Sequence, residues 1–208
     1  MEKLANRGQA TAFDAIAIGA SAGGVTALRA IVETLSSTLA AALFIVLHLD
    51  RERPSVLAEI LGRHAHMIVK QAVHGEPVVA GTAYVAPPDH HLLVERGHVR
   101  LTGSPPVCFS RPSVDLLLTS LAEAYGPRAI GVVLTGYGTD GTNGVRAVRA
   151  AGGVTLVQDP AEAEHASMPQ SAYATGCVDA RVKLAEIGPL LEQLVTGGRE
   201  QAMAGRCG

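Results

Sequence analysis

The chain has 208 residues, with 17 Lys and Arg against 19 Asp and Glu and a formal net charge of −2; that length suits one domain with a full core and is short for two. Balanced charge, no Trp, three Phe and four Tyr exclude the basic stripe and stacking platforms of a nucleic-acid binder. No apolar run reaches the roughly 18–20 residues that span a bilayer, and the start Met1-Glu2-Lys3-Leu4-Ala5-Asn6 lacks the apolar core of a signal peptide, so direct membrane insertion is not expected.

Residues 1–12 are small and polar and read as a tail or linker remnant. Ala15-Ile16-Ala17-Ile18, ending in Gly19, reads as a buried strand. A helix is expected from about 24 to 34, with Leu28, Ile31 and Leu35 at helical spacing. Residues 43–47 form a second buried strand ending at His48, and Pro54 suits the first turn of a helix through about Arg63. Short strands are expected at 67–70 and 83–86. Residues 92–95 and 98–101 flank Arg96-Gly97 as a two-residue hairpin turn. Pro112 opens a helix to about Tyr125, and 129–134 is the strongest strand of the chain. The Gly-rich stretch 136–144 leads into a helix through Ala151. Residues 154–158 form another strand, Cys177-Val178 a last short one, and 184–194 a final helix. The Gly-rich segment 196–208 reads as a flexible tail. The three cysteines, Cys108, Cys177 and Cys207, are far apart and odd in number. They show no metal spacing or disulfide framework and read as reduced thiols of a cytoplasmic protein.

Alternating strands and helices favour a largely parallel sheet covered by helices. The turn after the first strand, Gly19-Ala20-Ser21-Ala22-Gly23-Gly24-Val25-Thr26, admits three motifs. A dinucleotide fingerprint would need glycine where Ser21 stands. A phosphate-binding loop would need lysine where Val25 stands. Gly-x-Ser-x-Gly, a nucleophile elbow, fits as written and presents the Ser21 hydroxyl at the C-terminal edge of the sheet. The bland alternative is a glycine turn with Ser21 as helix N-cap.

A serine hydroxyl needs a base, usually a histidine oriented by a carboxylate. Among eight histidines, His48 ends the second strand, where neighbouring strand ends line one crevice. His90 and His91 border that region and are not chosen. The carboxylate candidate is Asp140, after the strongest strand in Leu134-Thr135-Gly136-Tyr137-Gly138-Thr139-Asp140-Gly141. Its bland alternative is a turn residue capping the next helix. The order Ser, His, Asp differs from the Ser, Asp, His of ordinary α/β-hydrolases.

With these residues in view, the chain resembles the catalytic domain of the chemotaxis protein-glutamate methylesterases, the CheB family. The resemblance covers about residues 13–195. It rests on 16–24, the strand ending in His48, 81–91, Ser110-Arg111-Pro112-Ser113-Val114-Asp115, 134–141 and Met168-Pro169. It implies a doubly wound α/β domain with a mostly parallel sheet, helices on both faces and an antiparallel hairpin near one edge. It implies a triad of Ser21, His48 and Asp140 that removes methyl esters from glutamate side chains of chemoreceptors, releasing methanol. Many members also deamidate receptor glutamines, and neither metal nor organic cofactor is needed. Backbone N–H groups near Ala22 and Tyr137 are the oxyanion candidates, and Tyr137 stands where methionine is common. Ser110 replaces a usual histidine, and Ala22 a usual hydroxyl residue. Arg111 is a candidate for placing an acidic receptor helix, with a structural salt bridge as its alternative. Typical members carry an N-terminal receiver domain. About a dozen residues precede the first strand here, so regulation by a receiver of its own is not expected. The rival functions are an esterase for another methylated protein or a small ester, and a non-catalytic phosphate-binding module.

Overall fold

The computed structural model describes residues 14–48 and 54–203. In chain order the elements are β1 (Ala15–Ala20), α1 (Gly24–Val32), β2 (Ala42–Leu47), α2 (Leu57–Gly62), β3 (Ile68–Gln71), β4 (Thr82–Val85), β5 (His91–Glu95), β6 (His98–Thr102), α3 (Val114–Tyr125), β7 (Ala129–Val133), α4 (Thr142–Ala150), β8 (Val154–Gln158), α5 (Ser167–Tyr173), β9 (Ala180–Val182) and α6 (Leu184–Met203). Seven strands form one parallel sheet in the order β3-β4-β2-β1-β7-β8-β9. β5 and β6 pair antiparallel as a separate ribbon across the turn at Arg96-Gly97. No helix among the described residues is long and apolar enough to cross a membrane.

The central strands are fully buried, so they read as continuous apolar runs rather than as alternation. Alternation survives in where the side chains go. Ile16, Ile18, Leu43, Ile45, Ile130 and Val132 share one core with α1 and α6. Ala17, Phe44, Val46 and Val133 share the other with α3, α4 and the β5–β6 ribbon. After β1 the chain therefore turns to one face of the sheet, and after β7 to the other. β1 and β7 are paired neighbours, so the topological switch point lies at their C-terminal ends, where such folds bind ligands.

The last strand is Ala180–Val182 rather than Cys177-Val178. Residues 177–179 are instead pinned across to Thr155. Its Oγ1 donates to the Cys177 carbonyl at 2.6 Å, and its N–H donates to the Asp179 carboxylate at 2.9 Å. The sequence pattern gives no sign of α5 (Ser167–Tyr173). The helix is seven residues long and buries only Met168, Pro169 and Ala172, too short a stripe for a helical period to stand out. α6 runs on to Met203, through the Gly197-Gly198 pair that suggested a loose tail, because two glycines lower helix propensity without forbidding the conformation. Residues 1–13 and 204–208 lie outside the described residues, and with them the expected N-terminal tail and the end of the C-terminal one.

Candidate active site

β1 and β2 pair in parallel, with Ala20 opposite Leu47. Ser21 and His48 each follow by one residue, and the His48 N–H still donates to the Ala20 carbonyl at 3.1 Å. Adjacent parallel strands are about 4.8 Å apart, which places these two residues side by side. Ala20 and Leu47 both face the α1–α6 core.

Ser21 is not a helix cap. The N-cap of α1 is Gly23, with no side-chain cap bond, which removes the bland reading of the serine. The Ser21 N–H donates to the Thr135 carbonyl at 3.0 Å, and its carbonyl accepts from Gly24 N–H at 2.9 Å. The first bond ties the elbow to the loop after β7, and the second closes the elbow on itself. Two glycines permit the approach. A Cβ on Gly19 would lie 2.2 Å from Val114 Cγ1, inside the start of α3. A Cβ on Gly136 would lie 2.6 Å from Ser21 Cβ and 2.8 Å from Met168 Sδ. Real Cβ atoms do not come that close, so both positions exclude larger residues.

Asp140 is 2% exposed and caps a helix, but not the next one. Its Oδ1 accepts from Ser113 Oγ at 2.9 Å and from Asp115 N–H at 2.8 Å. Its Oδ2 accepts from Val114 N–H at 2.7 Å and from His48 Nε2 at 2.8 Å. The carboxylate thus sits on the N-terminus of α3, where free N–H groups and the positive end of the helix favour negative charge. Burial alone would raise its pKa, but the His48 bond and the N–H groups of Asp115 and Val114 outweigh burial and hold it below 3.8. With Nε2 donating to Asp140, the second His48 nitrogen, Nδ1, is the acceptor.

The helix after Asp140 is capped by Asp115 instead. Its Oδ1 accepts from Gly141 N–H at 2.9 Å and Gly144 N–H at 2.8 Å, and its Oδ2 from Asn143 Nδ2 at 3.1 Å. The two carboxylates are exchanged: Asp115 of α3 holds the start of α4, and Asp140 of the loop before α4 holds the start of α3. Cys108 Sγ stands within 4.8 Å of oxygens of both. Burial, then the charges of Asp140 and Asp115, push that thiol up. The two carboxylates of this group already accept the N–H and hydroxyl donors named above.

The loop carrying Tyr137 closes the site from the α5 side. Thr135 Oγ1 donates to the Ala22 carbonyl at 3.0 Å, and Gly136 N–H donates to the His165 carbonyl at 2.9 Å. Tyr137 is 64% exposed, and its ring lies 4.4 Å from the His165 ring, centroid to centroid. Ala22 and Tyr137 are therefore gathered beside Ser21. Arg111 is not. Its Nε and Nη2 donate to Asp89, and Nη1 donates to the Gly103 and Ser104 carbonyls at 2.8 and 3.0 Å. Of its two readings, the geometry favours the salt bridge.

Three residues that hold the site had no assigned part in the sequence: Ser113, Asp115 and His91. A serine just before an apolar helical stripe signals an N-cap, so Ser113 was within reach. That Asp140 would share this cap depends on the tertiary fold.

Comparison with known proteins gives a consistent answer. The family model described as CheB methylesterase matches residues 16–191. A Leptospira interrogans protein, provisionally named protein-glutamate methylesterase/protein-glutamine glutaminase, is 37% identical over 190 residues, covering 91% of this chain and 98% of that protein. An Anaeromyxobacter dehalogenans protein-glutamate methylesterase/protein-glutamine glutaminase is 39% identical over 186 residues, covering 89% of this chain and 54% of its own length. The crystal structure of the Thermotoga maritima CheB methylesterase catalytic domain superposes with a TM-score of 0.84 at 33% identity, covering 89% of this chain and all of that one.

Proposed function

The chain belongs to the CheB methylesterase family, and from that premise we propose that it is a serine hydrolase in which Ser21, His48 and Asp140 remove methyl esters from glutamate side chains of a chemoreceptor-type protein. The observation that carries the reading is the 2.8 Å bond from His48 to a buried Asp140, on a histidine one residue past the strand pair that delivers Ser21.

His48 Nδ1 takes the Ser21 proton as Oγ attacks the side-chain ester carbonyl. Asp140 fixes the tautomer and stabilises the imidazolium that forms. N–H groups of Ala22 and Tyr137 receive the oxyanion, a contribution of about 3 kcal/mol per donor. The imidazolium returns its proton to the departing methoxide, so methanol leaves and a glutamyl ester remains on Ser21. Water, deprotonated by His48, attacks that ester, the imidazolium returns the proton to the departing Ser21 Oγ, and the receptor's glutamate side chain leaves with a free carboxyl group. The same cycle with ammonia as leaving group deamidates glutamine. No step calls for a metal or an organic cofactor. The free thiols of Cys108 and Cys177 suit a cytoplasmic setting.

The test is methanol release from a methylated receptor and hydrolysis of a panel of small esters, by wild type and Ser21→Ala. Release from the receptor that disappears in Ser21→Ala is the expected result. Activity near wild type in the variant would sink the assignment of Ser21. Turnover confined to small esters would retarget the same chemistry, and stabilisation by nucleotide alone would favour a phosphate-binding module.

A further inference from the structure

The β5–β6 ribbon forms no hydrogen-bonded ladder with the main sheet, yet it delivers one residue to the back of the site. His91, the first residue of β5, is 0% exposed. Its Nδ1 accepts the Ser113 N–H at 3.1 Å, and its Nε2 donates to the Pro105 carbonyl at 3.2 Å. These two bonds fix the neutral tautomer with the proton on Nε2. Ser113 in turn donates from Oγ to Asp140 and stands immediately before Val114 and Asp115, whose N–H groups hold the same carboxylate. Burial pushes the pKa of His91 down, which keeps its Nδ1 lone pair available.

We propose that His91 is a positioning residue of the hydrolase, acting through Ser113 to set the α3 N-terminus on which Asp140 rests. The inference depends on the triad reading above. The Ser113 N–H precedes the helix and cannot be met by an intrahelical partner. Without an acceptor at residue 91, the Ser113 peptide turns toward another one. Ser113 Oγ and the first N–H groups of α3 then leave the directions Asp140 needs. Among the described residues Asp140 links this network to His48, so the effect reaches the reaction through the aim of the imidazole. Substrate binding at the Ser21 side is not involved.

Two isosteric substitutions separate the two bonds. Asparagine places a carbonyl oxygen near the Nδ1 position, keeping the Ser113 acceptor and losing the Pro105 donor. Glutamine places an amide nitrogen near Nε2, keeping Pro105 and losing Ser113. In methanol release from methylated receptor, His91→Asn is expected to retain kcat within a few-fold. His91→Gln should lose about 10-fold in kcat, the scale of one unsatisfied buried donor, with KM little changed. Thermal midpoints of both variants serve as the structural control. The proposal is overturned if the two variants lose kcat equally, if His91→Asn is the worse, or if the loss falls on KM. Ser21→Ala run alongside keeps the two levels apart. A variant at Ser21 that still releases methanol refutes the triad, whereas an inactive Ser21→Ala beside equal His91 variants refutes only the role of His91.

Discussion

The N-termini of α3 and α4 are built alike and do different work. Each receives a buried aspartate from the other side of the pair: Asp140 accepts from Val114 and Asp115 N–H groups, and Asp115 accepts from Gly141 and Gly144 N–H groups. Asp140 has two further partners, the Ser113 hydroxyl and His48, and its pKa lies below 3.8. Asp115 has the Asn143 side chain instead, and burial, together with the nearby charge of Asp140, raises its pKa above 3.8 despite its N–H partners. Helix capping alone therefore does not depress a buried carboxylate here. Contact with His48 lowers Asp140, the charge of Asp140 itself raises Asp115, and of the two carboxylates Asp140 is the one bonded to the histidine beside Ser21's strand pair.

The sharpest way to break the comparison is to substitute both aspartates. Asp140→Asn puts an amide donor against His48 Nε2 and drives the imidazole proton onto Nδ1, removing the base. Methanol release is expected to fall by about 10⁴-fold, the scale of such a tautomer reversal in a serine triad. Asp115→Ala leaves the Asp140–His48 bond in place but strips the Gly141 and Gly144 N–H groups of their acceptor. Denaturant titration should show a loss of about 2 kcal/mol, while turnover per folded molecule falls less than about 10-fold. Equal losses of turnover from the two variants would erase the functional distinction.

Gly136→Ala tests the Ser21 side without touching either carboxylate. The new methyl group would stand 2.6 Å from Ser21 Cβ, and displacing the nucleophile by about 1 Å is expected to cost about 100-fold in kcat. Retained turnover would show that Ser21 need not hold the position described.

The smallest effect is on pH-dependent stability. Asp140, with its folded pKa lowered, stabilises the fold above 3.8 and loses that contribution as pH falls through its folded value. Asp115, with its folded pKa raised, works the other way: stability declines as pH rises from 3.8 through its folded value. Relative to wild type, Asp140→Asn should be most destabilised above that lower window and least so at strong acid. Asp115→Asn should be relatively better at neutral pH than at pH 3. Unfolding titrations across acid pH read both slopes, and slopes of the same sign would contradict the assigned pKa directions.

Much of this was legible in the sequence, for identifiable reasons. Ser21, His48 and Asp140 each follow an apolar run, and parallel topology brings strand ends to one edge. The hairpin was marked by Arg96-Gly97 between apolar pairs, and its turn falls there. Three things were not legible. α5 is too short to display a period. β9 starts after residues 177–179, which are bonded to the backbone N–H and the hydroxyl of Thr155. Asp140 looked like a cap for the helix that follows it, because capping is read locally. The exchange with Asp115 joins residues 25 and 26 positions apart, and no local pattern encodes it.

The most direct test of the triad asks which residue is nucleophilic, independent of substrate. Wild-type protein is treated with a fluorophosphonate, a reagent that forms a covalent adduct with activated serines, and the adduct is mapped by mass spectrometry of proteolytic peptides. A single adduct on Ser21, formed at a rate that collapses in His48→Ala, is the expected result. An unlabelled Ser21 in protein that still releases methanol, or labelling of Ser21 at an unchanged rate in His48→Ala, would contradict the proposed mechanism.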